Sequence, residues 1–324
     1  MKKYIQVHTL TNDSCDLDFG YVAIDIETGE ICYFTNFDQY GIYDPNELYL
    51  FDPYNISGDL AWHMSCSYYP IAQISNDIHP EIIDFIKWSV NAHRTHNEEN
   101  GYRTDLLDFN EKHLKVIYVP SYDLFDREDA AFYVPVENRM TFHCDRLEYE
   151  DASKRKKNTE KSNVIHEVGH MKVSTFKIDG NKLFIKTGFF PSEATLELIT
   201  LRNGDIFYKI MEEPKIGINL EKKALEEIIN DTDCANIFPT YNRTYPHIGD
   251  VLNKLCDGKL PRFREEDDAF LAYFDYLKRV VGSKDLADEI NGLIKDALFG
   301  RNRRKHEAKA LKLIKQCEER KSKN

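Results

Sequence analysis

The segment Asn163–Met171 constrains this chain most, because it combines apolar helix faces with a metal-binding pattern. It contains His-Glu-x-x-His as His166, Glu167 and His170. On an α-helix, residues four positions apart lie one turn above each other on one face. Two imidazoles at this spacing can bind one Zn²⁺ from the same side, and Glu167 beside them can polarise a metal-bound water. The segment therefore predicts a core helix with one polar edge facing a cleft.

The same pattern also fits a buried helix whose two histidines form ordinary hydrogen bonds. A catalytic zinc site needs three protein ligands and one open position for water, so the metal interpretation requires a third ligand elsewhere. Gly169 costs this helix up to about 1 kcal/mol relative to alanine. Such a cost is tolerated where another backbone comes close, and we expect a close approach at this turn.

The candidate third ligand lies in a second predicted helix. Asn219 is a good N-cap, and the helix is expected to cover about 220–232. Within it, Glu227 falls in a stripe that otherwise faces inward. A buried carboxylate needs a partner, and a metal ion would supply one.

Taken together, the two motifs resemble those of the gluzincin metallopeptidases, the thermolysin-like clan. Their second motif is typically Asn-Glu-x-x-Ser-Asp, on a helix after the His-Glu-x-x-His helix, and residues 226–231 read Glu-Glu-Ile-Ile-Asn-Asp. The resemblance implies that Glu227 is the third zinc ligand and that Asp231, one turn later, orients a ligand histidine. Glu226 stands where the family often has Asn, and Asn230 where it has Ser. Glu226 is the alternative ligand, although it has no carboxylate one turn on.

The spacing between the motifs is 57 residues, which is wide for the thermolysin type. Two hairpins are predicted in this interval, at the Asp-Gly pair of residues 179–180 and the Asn-Gly pair of residues 203–204. A metzincin would instead continue with a glycine and a third histidine. Val173 and Phe176 stand at those positions, so the metzincin branch is excluded.

The resemblance implies a zinc-dependent metallopeptidase in which Glu167 is the general base for water attack on a peptide carbonyl. Hydrolysis also requires a donor that stabilises the oxyanion, and gluzincins generally use a Tyr or His outside the ligand set. Tyr245 is the favoured candidate. Tyr241, His247 and Tyr208 are further candidates, and each can instead be an ordinary packed or surface residue.

Two alternatives to a peptidase stay open. One is a catalytically degenerate zincin scaffold, in which residues 1–110 bind a partner. The presence of Glu167 argues against it, because a purely structural zinc site has no use for that carboxylate. The other is a zinc hydrolase that acts on non-peptide amides.

The predicted fold class is α+β. A β-rich N-terminal domain of unknown role covers 1–112, and a zincin-like catalytic domain covers 113–324. The catalytic domain contains the active-site helix, the β-hairpin insertion and a helical C-terminal part from about 246 onward. Strands are predicted at 114–119, 131–134 and 140–144.

Two further segments carry charge or histidine. Residues 79–94 read as a helix, and His93 and His96 at its end are interpreted as part of a solvated loop, with a second metal site as the alternative. The highly charged residues 149–162 are interpreted as an exposed lead-in to the active-site helix.

Charge and composition limit the partners. The net charge of −12 makes the chain as a whole a poor nucleic-acid binder. Residues 301–324 carry about +7 and the rest about −19, and we interpret this tail as a solvated helix docked by apolar residues in preference to an RNA contact.

The seven scattered cysteines, in no C-x-x-C pair, favour reduced thiols in a cytoplasm. We find neither a secretion signal nor a run of 18 or so apolar residues, so we expect a cytoplasmic protein, a peptide or protein substrate and no membrane partner.

Overall fold

The structure is a computed structural model. It describes residues 1–12, 17–52, 77–118, 131–211, 219–242 and 247–322. The strands, in chain order, are β1 (Lys3–Asn12), β2 (Leu17–Asp25), β3 (Ile31–Thr35), β4 (Tyr49–Phe51), β5 (Lys115–Tyr118), β6 (Ala131–Val134), β7 (Arg139–Phe142), β8 (Ser174–Asp179), β9 (Lys182–Thr187), β10 (Phe190–Thr200) and β11 (Ile206–Ile210). The helices are α1 (Pro80–Asn100), α2 (Asp105–His113), α3 (Arg146–Glu150), α4 (Lys154–Met171), α5 (Leu220–Ile237), α6 (Ile248–Leu255), α7 (Leu260–Phe263), α8 (Ala269–Val281), α9 (Lys284–Phe299) and α10 (Arg303–Lys321).

Two sheets run through the described part of the chain. The larger has eight strands in the order β4-β3-β2-β1-β11-β10-β9-β8, and the smaller has three in the order β5-β7-β6. In the larger sheet β1 pairs with β11 in parallel, with Ile5 opposite Tyr208, whereas β1–β2 and β10–β11 are antiparallel. The strands near the N-terminus therefore share a sheet with the strands that follow the His-Glu-x-x-His segment. This sheet crosses the predicted boundary between residues 112 and 113.

Both predicted hairpins are confirmed. The Asp-Gly pair at 179–180 lies where β8 turns into β9, and residues 203–204 lie in the connection from β10 to β11. Gly180 and Gly204 have positive φ angles of 59° and 83°, a region that glycine enters without a steric penalty from a Cβ atom. Local turn chemistry therefore accounts for both connections.

The prediction for residues 79–96 is wrong at its C-terminal end. Helix α1 continues to Asn100 and ends at Gly101, whose φ of 68° suits the left-handed cap. His93 consequently lies inside a helix and is fully buried, where its Nε2–H donates to the Ile165 carbonyl at 3.1 Å. Within the described residues, no metal-type cluster includes His93 or His96.

Helix α4 begins earlier than expected. Ser153 is its N-cap, and the hydroxyl accepts a hydrogen bond from the Lys156 amide at 3.3 Å. Most of the predicted lead-in at 149–162 is therefore helix, because lysine, arginine and glutamate are good helix formers on an exposed face. Helix α5 begins as predicted, since the Asn219 side chain accepts from the amides of Glu221 and Lys222.

The chain is a mixed helix-and-sheet protein, and the coarse α+β class is confirmed. Helix α4 packs on α1, on the small sheet and on α5, and its apolar residues are fully buried there, Val164 and Val168 among them. Helices α6 to α10 pack with α5 around a second core, which Ile314 of the basic tail helix joins. In the described ranges, no helix combines the length and the apolar character needed to cross a bilayer.

Candidate metal centre

Three side chains from two helices meet in a cleft of about 610 Å³. His166 and His170 project from α4, and Glu227 projects from α5. The Nε2 atom of His166 lies 3.1 Å from Nε2 of His170 and 3.1 Å from Oε2 of Glu227, and the third side of this triangle measures 3.5 Å. Tetrahedral ligands about 2.1 Å from a zinc ion lie about 3.4 Å from one another. The donor atoms therefore have a spacing that one zinc ion fits.

The charges of the three side chains also suit a cation. Burial alone would lower the pKa of His170, but the carboxylates of Glu227 and Glu226 outweigh it and raise that pKa to about 10. Burial alone would raise the pKa of Glu227, but the two histidines outweigh it and hold that pKa well below its usual value. The protein's own groups thus favour a positive charge at this point, which is the charge that a divalent ion brings.

Close packing at one glycine sets the distance between α4 and α5. A Cβ atom added at Gly169 would overlap the side-chain oxygen of Asn230. The Asn230 amide nitrogen donates to the His166 carbonyl at 2.8 Å. The expected close approach exists, but the neighbour is a side chain and not another backbone. The sequence pattern alone did not distinguish these two cases.

Several side chains fix the backbone of α4 by hydrogen bonds to its carbonyl oxygens. The donors come from α1, α2, α5 and the residue after α7, and they reach both sides of the motif. They are His93 to Ile165, Asn230 to His166, Arg264 to Gly169 and Asn110 to Met171. The rotation of α4, and with it the direction of both imidazoles, is therefore set by long-range contacts.

Behind His166 lies a hydroxyl and then a carboxylate. The Tyr241 hydroxyl lies 2.9 Å from His166 Nδ1 and donates to Asp231 Oδ1 at 2.8 Å. Because a carboxylate only accepts, the Tyr241 oxygen is left to accept from His166 Nδ1–H. This directs the lone pair of Nε2 toward the cleft. Asp231, which the resemblance implies orients a ligand histidine, thus accepts from the Tyr241 hydroxyl that contacts His166.

Behind His170 lies an ion pair. Glu226 Oε1 is 3.5 Å from His170 Nδ1, and both oxygens of Glu226 contact the guanidinium of Arg264. The Phe189 amide also donates to Glu226 at 3.1 Å. Gly188, with a φ of 52°, leaves room for this carboxylate, which a Cβ atom would overlap. Glu226 therefore lies behind the ring, and Glu227 is the one that joins the Nε2 atoms.

Arg264 is completely buried and connects both helices of the site. Besides Glu226 it donates to Asp233 Oδ2 at 3.1 Å and to the Gly169 carbonyl at 3.2 Å. Asp233 in turn pairs with the buried Lys172 at 3.4 Å. Sequence reasoning missed Arg264, because it lies 37 positions after Glu227 in no motif.

Glu167 lines the same cleft and is 8 % exposed. Burial raises its pKa, and the nearby histidines partly oppose this. A raised pKa makes the carboxylate a stronger base, which suits it to accept a proton. The edge strand β6 runs beside it, and Phe132 and Tyr133 line the cleft as well.

The structure places the candidates for an oxyanion donor in different parts of the molecule. Tyr245 lies outside the described residues. His247 is exposed beside Asp250, and Tyr208 lines a different cavity of about 890 Å³ beneath the larger sheet. Of the candidates within the described ranges, Tyr241 alone reaches the cleft, and its hydroxyl already serves His166 and Asp231.

Comparison with known proteins gave no relative. No family model, no curated protein and no solved structure matches the chain.

Proposed function

We propose that this protein is a zinc metallopeptidase of the gluzincin type, with a zincin-like arrangement of α4 and α5. His166, His170 and Glu227 would hold Zn²⁺ as ligands. The observation that carries the proposal is the triangle formed by their three donor atoms, with sides of 3.1, 3.1 and 3.5 Å.

The donor set favours zinc and a catalytic role. Two imidazole nitrogens and one carboxylate oxygen suit zinc, whereas calcium and magnesium take mostly oxygen ligands. Three protein ligands leave one position for water or substrate, as catalytic zinc sites require. The cleft provides the space for that position.

The chemistry follows from the residues around the ion. When bound, Zn²⁺ supplies Lewis acidity and makes water more acidic. Glu167 accepts the proton of the attacking water and returns it to the leaving amine, a role that its raised pKa supports. Tyr241 and Glu226 hold the two imidazoles with their Nε2 atoms directed at the site.

The edge strand supports a peptide as the substrate. In the described part of the chain, β6 pairs with β7 on one side and its other side has no partner strand. An extended peptide can pair with such an edge through its main chain. Because β6 lies along the cleft, a peptide bound there would place a carbonyl group close to Glu167.

The test compares wild type with Glu167→Gln. We expect the purified wild type to contain zinc and to cleave peptides, and the variant to keep zinc and lose at least about 100-fold in kcat. Glu160→Gln is the matched control, because Glu160 is a buried glutamate on the same helix with a pKa also raised by burial. It does not line the cleft, so its kcat should stay near that of wild type.

Other outcomes would favour the alternatives. Bound zinc without cleavage of any peptide or amide would favour a degenerate zincin scaffold. Cleavage of non-peptide amides alone would favour a different zinc hydrolase. A protein that binds no zinc would refute the proposal.

A further inference from the structure

One positive side chain lies in the metal cleft. Among the described residues that line it, Lys223 is the only lysine or arginine. The other charged groups of the lining are the three carboxylates of Glu167, Glu226 and Glu227 and the two histidines of the site. A substrate in this cleft would therefore meet one lysine or arginine side chain from the described residues.

Lys223 lies one turn before Glu227 on α5. Residues four apart lie on one helix face, with Cβ atoms about 5–6 Å apart. An extended peptide advances about 3.3 Å per residue, so this Cβ spacing corresponds to about two residues of a bound substrate.

The ammonium of Lys223 has no acidic partner within the described part of the chain. It lies over the Phe299 ring, 5.9 Å from the ring centre, and its side chain is exposed. Lys222, its neighbour in the sequence, lies over the Phe270 ring at 5.2 Å and does not line the cleft. Of these two neighbouring lysines, only Lys223 therefore lines the cleft.

The charge balance of the cleft gives Lys223 a role. Glu226 is neutralised by Arg264, and a divalent ion would balance Glu167 and Glu227. The charge of Lys223 is then left without a balancing charge in the same cleft. An anionic group of the substrate would complete this balance.

We propose that Lys223 forms a subsite for a carboxylate of the substrate, within about two residues of the bond that is cleaved. This proposal rests on the proposed function and narrows its substrate class to peptides with an acidic group at that place. The carboxylate can come from an Asp or Glu side chain or from the free C-terminus of the peptide, since both present the same group.

The first test uses pairs of peptides that differ only in charge. Each pair has Asp against Asn, or Glu against Gln, at one position, and a further pair has a C-terminal acid against an amide. We expect wild type to cleave the acidic member at least 10-fold better in kcat/KM at one position. Which pair shows the preference identifies the source of the carboxylate.

Charge reversal assigns the preference to the residue. Lys223→Glu should reduce the ratio of acid to amide cleavage from at least 10 to 1 or below. Lys222→Glu carries the same change in charge on the same helix and should leave the ratio unchanged. An equal ratio in wild type, or the same ratio in wild type and Lys223→Glu, would overturn the proposal.

A binding measurement separates this proposal from the peptidase proposal. The hydroxamates of N-acetylglutamate and N-acetylglutamine both offer a zinc-binding group and differ only in the side-chain charge. With the zinc-loaded protein, calorimetry should show at least 10-fold tighter binding of the glutamate form to wild type and to Lys222→Glu, but not to Lys223→Glu.

This binding result without any peptide cleavage would support the subsite and refute the peptidase proposal. Peptide cleavage with equal binding and no acid preference would remove the subsite alone, and binding of neither hydroxamate would remove both.

Discussion

The two histidines of α4 have different kinds of partners at their Nδ1 atoms. His166 is supported by the neutral hydroxyl of Tyr241, which passes its hydrogen bond on to Asp231. His170 is supported by the carboxylate of Glu226, which the guanidinium of Arg264 neutralises. Tyr241 is partly exposed, although Asp231 beyond it is buried, whereas Glu226 and Arg264 are both almost completely buried.

The difference has an energetic consequence. Removing one partner of a buried ion pair leaves an uncompensated charge, whereas removing a hydroxyl leaves at most an unsatisfied hydrogen bond. The surroundings of His170 should therefore govern folding, and those of His166 should govern metal affinity.

The largest effect is expected for Arg264→Gln. It leaves the carboxylate of Glu226 buried without its guanidinium partner and leaves Asp233 with Lys172 alone, which should lower the free energy of unfolding by about 3–5 kcal/mol. Urea denaturation at neutral pH measures this. Arg262→Gln, two residues away and exposed, should change stability by less than about 0.5 kcal/mol. A loss below about 1 kcal/mol for Arg264→Gln would show that the ion pair does not support the fold.

The packing of α4 against α5 is tested next, by Gly169→Ala. The added methyl group overlaps the Asn230 side chain, so that side chain must leave its hydrogen bond to the His166 carbonyl or α4 and α5 must move apart, at a cost of about 1–3 kcal/mol. Gly292→Ala on α9 is the matched control, because its Cβ atom would meet no heavy atom within 4 Å. That control should be stabilised by up to about 1 kcal/mol, from helix propensity alone. Equal changes in the two variants would contradict the packing argument.

Local patterns predicted the parts of the site that depend on local chemistry. The i, i+4 spacing of His166 and His170, the N-cap at Asn219 and both glycine turns follow from residues that are close in the sequence. The juxtaposition of Glu227 with the two histidines also agrees with the prediction, although the resemblance to gluzincins and not the residue pattern selected it over Glu226.

Long-range contacts account for what the sequence did not predict. Arg264 and Tyr241 act through partners that are 31 to 95 positions away in the sequence, apart from the Tyr241–Asp231 contact. His93 looked like a loop residue because the polar end of α1 gives no sign of the α4 backbone that covers it. No local pattern indicates which distant element will cover a given polar group.

The surroundings of His166 are tested by Tyr241→Phe. This variant removes the acceptor for His166 Nδ1–H, so the ring loses its fixed direction and zinc affinity should fall about 10–100-fold. Competition with a chelating dye measures this. Tyr102→Phe, whose hydroxyl contacts the distant Gly258 carbonyl, should bind zinc as wild type does. If Tyr241→Phe instead keeps its zinc affinity and loses only kcat, Tyr241 is an oxyanion donor and the comparison of the two supports fails.

The smallest effect expected is a change in how stability depends on pH. Burial alone would raise the pKa of Glu226, but Arg264 and His170 outweigh it and hold that pKa below its ordinary value of 4.5. The ionised carboxylate therefore adds stability above about pH 4.5 that is lost as the pH falls below it, with a slope of at most about 1.4 kcal/mol per pH unit. Glu226→Gln, measured with a chelator present, should remove this part of the acid slope.

A second buried glutamate provides a control of opposite sign. Burial raises the pKa of Glu137, although Arg139 and Lys115 partly oppose it. The folded protein therefore takes up this proton more readily than the unfolded chain, and stability is gained as the pH falls through the raised pKa. Glu137→Gln should make the acid loss of stability steeper where Glu226→Gln makes it shallower. If both variants change the acid loss of stability in the same direction, the ion pair with Arg264 does not set the charge of Glu226. The proposed difference between the partners of His166 and of His170 would then fail.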